Sequence, residues 1–287
     1  MKVLVFGKIG QVARALIASG PDHDVEIIPL GREVADLNDP QACADHIARS
    51  DADAVINAAA WTAVDAAETE EDAALIVNAT APGAMARACA AKKIPFVHIS
   101  TDYVFDGSDG PAWLPDDPTQ PLSAYGRTKL EGEQQVMAAG GVAVILRTAW
   151  GFDGEGKNFV TTLLRLAETR DTLSVVADQT GGPTPAAAIA DACLTVARRL
   201  VAGTGKAGIY HFTGAPDVTW AGFARAIFAS AGQDVTVQDI TTAEYPTPAK
   251  RPANSRLNCA SLEADYSIAR PDWQAALDRM ITERATS

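Results

Sequence analysis

Residues 2–20, KVLVFGKIGQVARALIASG, join two hydrophobic patterns at a pair of glycines. KVLVFG, 2–7, is a continuous apolar run of strand type that ends on glycine, and QVARALIASG, 11–20, has helical spacing with a glycine end. The pattern repeats downstream. VEIIPL (25–30), DAVINAAA (53–60), PFVHIST (95–101) and VAVILRTAW (142–150) read as further strands, with helices around 73–91 and from Ser123 onward between them. Alternating β and α segments with nearly continuous apolar strands predict an α/β fold, a Rossmann-like doubly wound parallel sheet with helices on both faces. In such a sheet ligands sit outside the carboxyl ends of the strands.

After Trp150 the pattern loosens into shorter pieces. GFDGEGKNFVTTLLRLAETRD reads as a loop and a helix, LSVVADQTGGPTP as a short strand and turn, AAIADACLTVARRLVAG as a helix and GIYHFTG (208–214) as a strand. A long irregular run, YPTPAKRPANSRLN, follows. The expected division is a nucleotide-binding domain over 1–150, with sheet elements returning from about 182–213, and a smaller C-terminal substrate-binding lobe formed mainly by 151–287.

The glycine pair belongs to a G-x-x-G-x-x-A arrangement, Gly7, Gly10 and Ala13, set between a strand and a helix. Small residues there let the backbone turn tightly and approach a pyrophosphate, whose charge the helix N-terminal N–H groups meet. The alternative is a purely structural strand-to-helix turn. After the second strand come Gly31, Arg32 and Glu33. An arginine there accepts a 2′-phosphate, so NADPH is expected over NADH, with NADH still possible, unless Arg32 is a solvated loop charge. Asp36 is a candidate for the adenine end. The alanines after Asn57, Ala58 to Ala60, leave room for a flat ligand, although close helix packing explains them equally well.

The chemistry lies further along. Ser100, Thr101, Asp102 and Tyr103 crowd the end of a buried strand and are expected to point into the crevice, turn capping being the alternative for one or two of them. About twenty residues later SAYGRTKLEGE (123–133) places Tyr125 and Lys129 one helical turn apart. An ammonium beside a phenol favours phenolate, and a phenol tuned downward can pass a proton to a developing alkoxide. Glu131 and Glu133 are expected to be solvated charges.

Composition narrows the remaining classes. A formal charge of −12 over 287 residues gives no basic stripe for nucleic acid, and no uncharged apolar segment is long enough to span a membrane. A soluble, cytoplasmic protein is expected. The four cysteines are far apart and are read as free buried thiols, with neither a disulfide framework nor a metal site.

Together these motifs resemble the extended short-chain dehydrogenase/reductases, in which a Ser or Thr, a Tyr and a Lys in Y-x-x-x-K form the catalytic set. The runs FGKIGQV, VINAAAWTAVDAAE, HISTDYVFDG, YGRTKLEGE, DQTGGPTPAAAIAD and RPANSRL carry the resemblance over most of the chain, and FGKIGQV joined to DQTGGPT is the narrowest part of it. It implies NADPH-dependent reduction of the 4-keto group of dTDP-4-dehydro-L-rhamnose, the last step of dTDP-L-rhamnose synthesis. In that role Tyr125 would donate the proton, Lys129 would bind the nicotinamide ribose and lower the tyrosine pKa, and Thr101 would adjust it. Gly7, Gly10, Gln11, Val12, Asp36, Leu37, Ala58, Ala59, Ala60 and Thr62 would hold the cofactor. Thr101, Asp102 and Trp150 would meet the nucleotide sugar, and Asn158, Gln179, Arg251 and Ser255 are further candidates for sugar, base or diphosphate contacts. Trp150 is equally read as a lobe-packing aromatic, and Arg251 as the partner of a surface carboxylate. Related activities, another deoxysugar-nucleotide reductase, epimerase or dehydratase, or a non-catalytic NADP-binding regulatory subunit, share parts of the pattern. Some relatives bridge a dimer through Mg²⁺ held by an acidic residue just after GQV, where this chain has Ala15. Monomer and homodimer therefore both stay open.

Overall fold

Six parallel strands form the central sheet of the computed structural model, which describes residues 1–286. In chain order the first half comprises β1 (Lys2–Phe6), α1 (Gln11–Ser19), β2 (Glu26–Leu30), α2 (Pro40–Arg49), β3 (Ala54–Asn57), α3 (Val64–Ala67), α4 (Glu71–Leu75), a π-helical turn (Ile76–Thr80), α5 (Ala81–Lys92), β4 (Phe96–Thr101), α6 (Ala124–Ala138) and β5 (Ala143–Thr148). The second half adds β6 (Gly151–Phe152), α7 (Phe159–Ala167), β7 (Thr172–Val176), β8 (Thr180–Gly181), β9 (Thr184–Pro185), α8 (Ala186–Val201), β10 (Gly208–His211), β11 (Val218–Thr219), α9 (Trp220–Ser230), β12 (Thr236–Ile240), β13 (Asn254–Ser255), α10 (Ala260–Tyr266) and α11 (Trp273–Thr286).

The sheet order is β10-β5-β4-β3-β1-β2, so β1 has β2 on one side and β3 on the other. At that switch point the chain winds outward in both directions and opens a crevice above the strand ends. Alternation along β1 shows why its apolar run is continuous. Val3 and Val5 join Leu16, Ile189 and Cys193 in a core under α1 and α8, while Leu4 and Phe6 join Cys43, Ile47 and Met85 under α2 and α5. All four cysteines are free and buried.

A third core builds the second lobe from Phe152, Val160, Leu163, Val175, Phe223, Ile227, Trp273 and Leu277. Its strands β7 and β12 pair in parallel, and β8 lies between β11 and β13. The chain also returns to the main sheet, where β10 pairs with β5.

Two elements differ from the sequence expectation. The helix expected over 73–91 is interrupted by the π-helical turn, where Asn78 accepts from the Trp61 N–H at 2.8 Å and donates to the Trp61 carbonyl at 3.2 Å. Its amide also donates to Thr128 Oγ1 at 3.1 Å, so the extra residue of the turn braces both the 58–62 segment and α6. The strand expected over 142–150 stops at Thr148, and Trp150 turns away in the left-handed region with φ 51°. Among the described residues no helix is long and apolar enough to cross a membrane.

Candidate active site

The glycine turn after β1 is a close-approach cradle. Gly7 has φ 121°, and a Cβ there would stand 3.2 Å from Ala13 Cβ and 3.4 Å from the Ala58 backbone. Beyond Gly10, which precedes α1, a Cβ would meet open space. No side chain caps α1 and its first turn carries no acidic residue, so the N–H groups of Gln11, Val12 and Ala13 present the positive end of the helix dipole uncancelled. Ala58, Ala59 and Ala60 follow β3 with small side chains, and Asn57 Oδ1 fixes their path by accepting from the Ala59 N–H at 3.2 Å. This turn, open helix end and alanine floor fit a dinucleotide pyrophosphate.

Arg32 and Asp36 are bonded to each other at the rim, Nε to Oδ2 at 3.2 Å, with the arginine side chain 78% exposed. Asp36 also accepts from the Asn38 N–H at 3.0 Å, the main reason its carboxyl is held below the usual range. Lys8 and Glu33 pair beside them at 3.2 Å. Leu37 is buried under this loop and Thr62 lies exposed.

At the ends of β4 and α6, Thr101, Asp102, Tyr125 and Lys129 converge. The side chains of Tyr125 and Thr101 share a hydrogen bond, and Thr101 Oγ1 donates to Asp102 Oδ1 at 3.0 Å. Tyr125 is raised above an ordinary phenol, first by burial and then by the Asp102 and Tyr103 charges, against the lowering effect of Thr101. Lys129 does not supply the lowering expected from the sequence. Its Nζ donates to the Ile99 carbonyl at 2.7 Å and lies 3.4 Å from His98 Nε2, and burial lowers the lysine itself to about 8. Burial raises Asp102 to about 6, with the Ser255 and Thr101 hydroxyls offsetting part of the rise. Asp102 Oδ2 is buried without a hydrogen-bond partner.

Two neighbours depart from expectation. Ser100 points away from the crevice and donates to Glu133 Oε1 at 2.5 Å, because successive strand residues face opposite ways. Glu133 is no solvated charge: it is 2% exposed and forms a two-pronged ion pair with Arg147, Nη2 to Oε2 at 2.7 Å and Nε to Oε1 at 2.9 Å. Glu131 stays nearer the surface, accepting from Gln135 at 2.9 Å.

Beyond the strand ends a cavity of about 780 Å³ opens, lined by Asp65 and Tyr103 from the first half and by Phe159, Arg170, Gln179, Trp220, Thr242, Tyr245 and Arg251 from the second. Arg251 Nη2 donates to Asp65 Oδ2 at 2.8 Å, and its Nη1 is buried with no partner. Gln179 donates to Thr242 Oγ1 at 2.9 Å. Trp150 stacks on Trp220, ring centroids 3.6 Å apart, and a Cβ on Gly181 would reach its ring at 2.8 Å. Ser255 is buried on β13 beside Asp102. Asn158 is the exception among the substrate candidates. It caps α7 by accepting from the Thr161 N–H at 3.1 Å, and its amide nitrogen donates to Asp153 and to the Glu155 carbonyl, so both ends of the amide are committed to the loop.

Several site residues escaped the sequence reading. Arg170 sits in a polar run, ETRDT, indistinguishable from a solvated turn, and Asp65 carried no signal beyond its place after the alanines. Trp220 is placed by its stacking on Trp150, which no local pattern encodes. Among the described residues no group of three or more His, Cys, Asp or Glu side chains could hold a metal ion.

The chain is similar over its whole length to known proteins. The family model described as the RmlD substrate binding domain matches residues 1–286. A dTDP-4-dehydrorhamnose reductase of Sinorhizobium fredii is 44% identical, covering 98% of this chain and 97% of that one. The crystal structure of a dTDP-4-dehydrorhamnose reductase from Clostridium acetobutylicum superposes with a TM-score of 0.93 at 38% identity, covering 99% of this chain and 100% of the other. A dTDP-4-dehydrorhamnose reductase from Bacillus anthracis, solved in complex with NADP, gives a TM-score of 0.91 at 30% identity, with 98% and 99% covered.

Proposed function

Because the chain belongs to the dTDP-4-dehydrorhamnose reductase family, we propose that it is an NADPH-dependent oxidoreductase that reduces the 4-keto group of dTDP-4-dehydro-L-rhamnose to give dTDP-L-rhamnose. The observation that carries this reading is the meeting of Thr101, Tyr125 and Lys129 between a dinucleotide cradle and a cavity with an unpartnered arginine nitrogen.

Gly7, Gly10 and the first-turn N–H groups of α1, from Gln11 and Val12, would hold the pyrophosphate, with Ala58 to Ala60, Leu37 and Thr62 along the rest of the dinucleotide. Arg32, exposed and paired only at the rim, can exchange Asp36 for a 2′-phosphate. When bound, NADPH supplies the hydride that adds to the carbonyl carbon. Tyr125 donates its proton to the carbonyl oxygen as negative charge develops there. Its raised pKa keeps the phenol protonated and ready in the resting site, and Thr101 steadies the oxygen that is left behind. Lys129 turns its remaining N–H toward the ribose. Asp102 and Ser255 would accept from and donate to sugar hydroxyls. Trp150 would wall the sugar, and Gln179 and Arg251 would meet base and diphosphate. With Ala15 in place of a carboxylate the reading includes no magnesium bridge, and monomer and homodimer serve it equally.

The test is NADPH consumption with dTDP-4-dehydro-L-rhamnose and identification of the product by NMR. Net oxidation of added NADPH separates a reductase from epimerases and dehydratases, which recycle their cofactor. Tyr125→Phe is expected to keep the fold and lose on the order of 10²–10⁴-fold in turnover, the contribution typical of general acid catalysis. A Tyr125→Phe variant as active as the parent removes the proton-donor assignment.

A further inference from the structure

Below the crevice runs a chain of buried groups whose donors and acceptors can be counted. The Ala59 N–H donates to Asn57 Oδ1, which turns the Asn57 amide nitrogen toward His98 Nδ1, 3.2 Å away. An amide nitrogen only donates, so Nδ1 must carry the lone pair, and a neutral imidazole then has its proton on Nε2. That nitrogen faces Lys129 Nζ at 3.4 Å, while Nζ donates to the Ile99 carbonyl at 2.7 Å. An amine satisfies every group: one N–H goes to Ile99, the lone pair receives the His98 N–H, and the second N–H is free for the crevice. An ammonium has no lone pair and sets its charge against an N–H donor where His98 is 0% and Lys129 2% exposed.

We propose that His98, its tautomer fixed by Asn57, is a positioning residue that disfavours the ammonium form of Lys129 in the ligand-free enzyme. The consequence for function rests on the reductase reading above. Phosphate charge entering the crevice favours the ammonium, so NADPH binding draws protons from solvent onto the fraction of Lys129 that is uncharged and completes its charge.

The surroundings agree. Burial lowers His98 well below the ordinary histidine value and keeps it neutral. Burial likewise lowers Lys129, and Glu133 of its own helix opposes that shift. Glu133 is itself neutralised by Arg147 of β5. Tyr125, one turn earlier on α6, is protonated, and β3 contributes only the uncharged Asn57.

The first test is NMR of the full chain labelled with ¹⁵N-histidine at neutral pH. The expected His98 signals are a protonated Nε2 and a lone-pair Nδ1; an Nδ1–H tautomer or an imidazolium overturns the proposal. This arm needs neither turnover nor a variant, so it stands apart from the success of the reductase reading. The second is calorimetry of NADPH binding near the lysine midpoint of about 8, in buffers of different ionisation enthalpy. At that pH the 2′-phosphate is already fully ionised. Net proton uptake is expected in the parent. Asn57→Asp keeps an acceptor for Ala59 but accepts from His98 Nδ1–H, leaving the Nε2 lone pair to an ammonium. The variant is expected to show the flipped tautomer, to lose the uptake and to move the alkaline limb of kcat/KM up by about one pH unit. Uptake that is absent in the parent, or unchanged in Asn57→Asp, overturns the proposal.

Discussion

Asp102 carries the largest unresolved polarity of the site. Its carboxyl is buried, its Oδ2 lacks a partner, and burial raises it to about 6 despite Ser255 and Thr101. An unfolded aspartate titrates near ~3.9. The folded value lies above the unfolded one, so the fold favours the protonated acid. That contribution is fully present below pH ~4 and is lost as the pH rises through about 6. A rise of about two units corresponds to roughly 3 kcal/mol. Asp102→Asn is therefore expected to stabilise the ligand-free protein by up to ~3 kcal/mol above about pH 7, to be neutral below about pH 4, and to lose turnover. Urea unfolding of both proteins at the two ends of that range measures it; the same difference at both ends means that the residue is not a desolvated acid. Among single residues, Thr101, Tyr125 and Lys129 were legible because their side-chain chemistry and spacing restrict what they can do. Ser100 and Glu133 were misread for want of direction. Yet Glu133 continues the stripe Tyr125, Lys129 at intervals of four, which keeps it on the inward face of one helix.

At the scale of elements, α6 is placed by its glycines. A Cβ on Gly126 would stand 2.2 Å from the Tyr103 carbonyl oxygen, and one on Gly132 would stand 2.0 Å from the Asn78 carbonyl oxygen. The helix that carries Tyr125 and Lys129 thus lies directly on the π-helical turn whose Asn78 braces Trp61. Alanine is the better helix former by up to ~1 kcal/mol, so on propensity alone Gly132→Ala would stabilise. Overpacking against backbone costs about 1–3 kcal/mol and cannot be relieved by a rotamer. The expected outcome is a lower midpoint of thermal unfolding together with reduced kcat, since α6 must shift away from the π-helical turn. A variant with a higher midpoint and full activity contradicts this packing argument. The helix over 73–91 was legible in the sequence but its π-helical turn was not, because what creates the turn lies fifty residues away in Thr128 and Gly132. Strands β1, β3, β4 and β5 were legible because burial on both faces makes each a nearly continuous apolar run, while β2, at the sheet edge, is only partly buried.

The whole molecule joins a half that declares itself in sequence to one that does not. The sheet repeats a single period, whereas the second lobe has two-residue strands and a core assembled from Phe152, Val175, Phe223 and Trp273, which no local window contains. The halves are tied across the crevice by Arg14 to Asp153 at 2.5 Å and by Arg251 to Asp65 at 2.8 Å. Arg251 comes from the irregular run that the sequence left without structure, and it reaches the cavity beside Asp65 and Tyr103 only because the chain has folded back on itself. With a net charge of −12 the protein as a whole repels a dTDP sugar, so the attraction must be local. Arg251 offers it through Nη1, buried without a partner, while Asp65 and the Tyr103 phenol hold the rest of the guanidinium. A charged hydrogen bond is worth about 1.5–3 kcal/mol, which converts to roughly ten- to hundredfold in affinity. Arg251→Ala is expected to raise KM for the nucleotide sugar by that factor while NADPH binding, followed by fluorescence titration, stays unchanged. If NADPH affinity falls in parallel, Arg251 acts by holding Asp65 and the 58–62 segment in place, and the diphosphate must be held elsewhere, with Arg170 the remaining cation of the cavity.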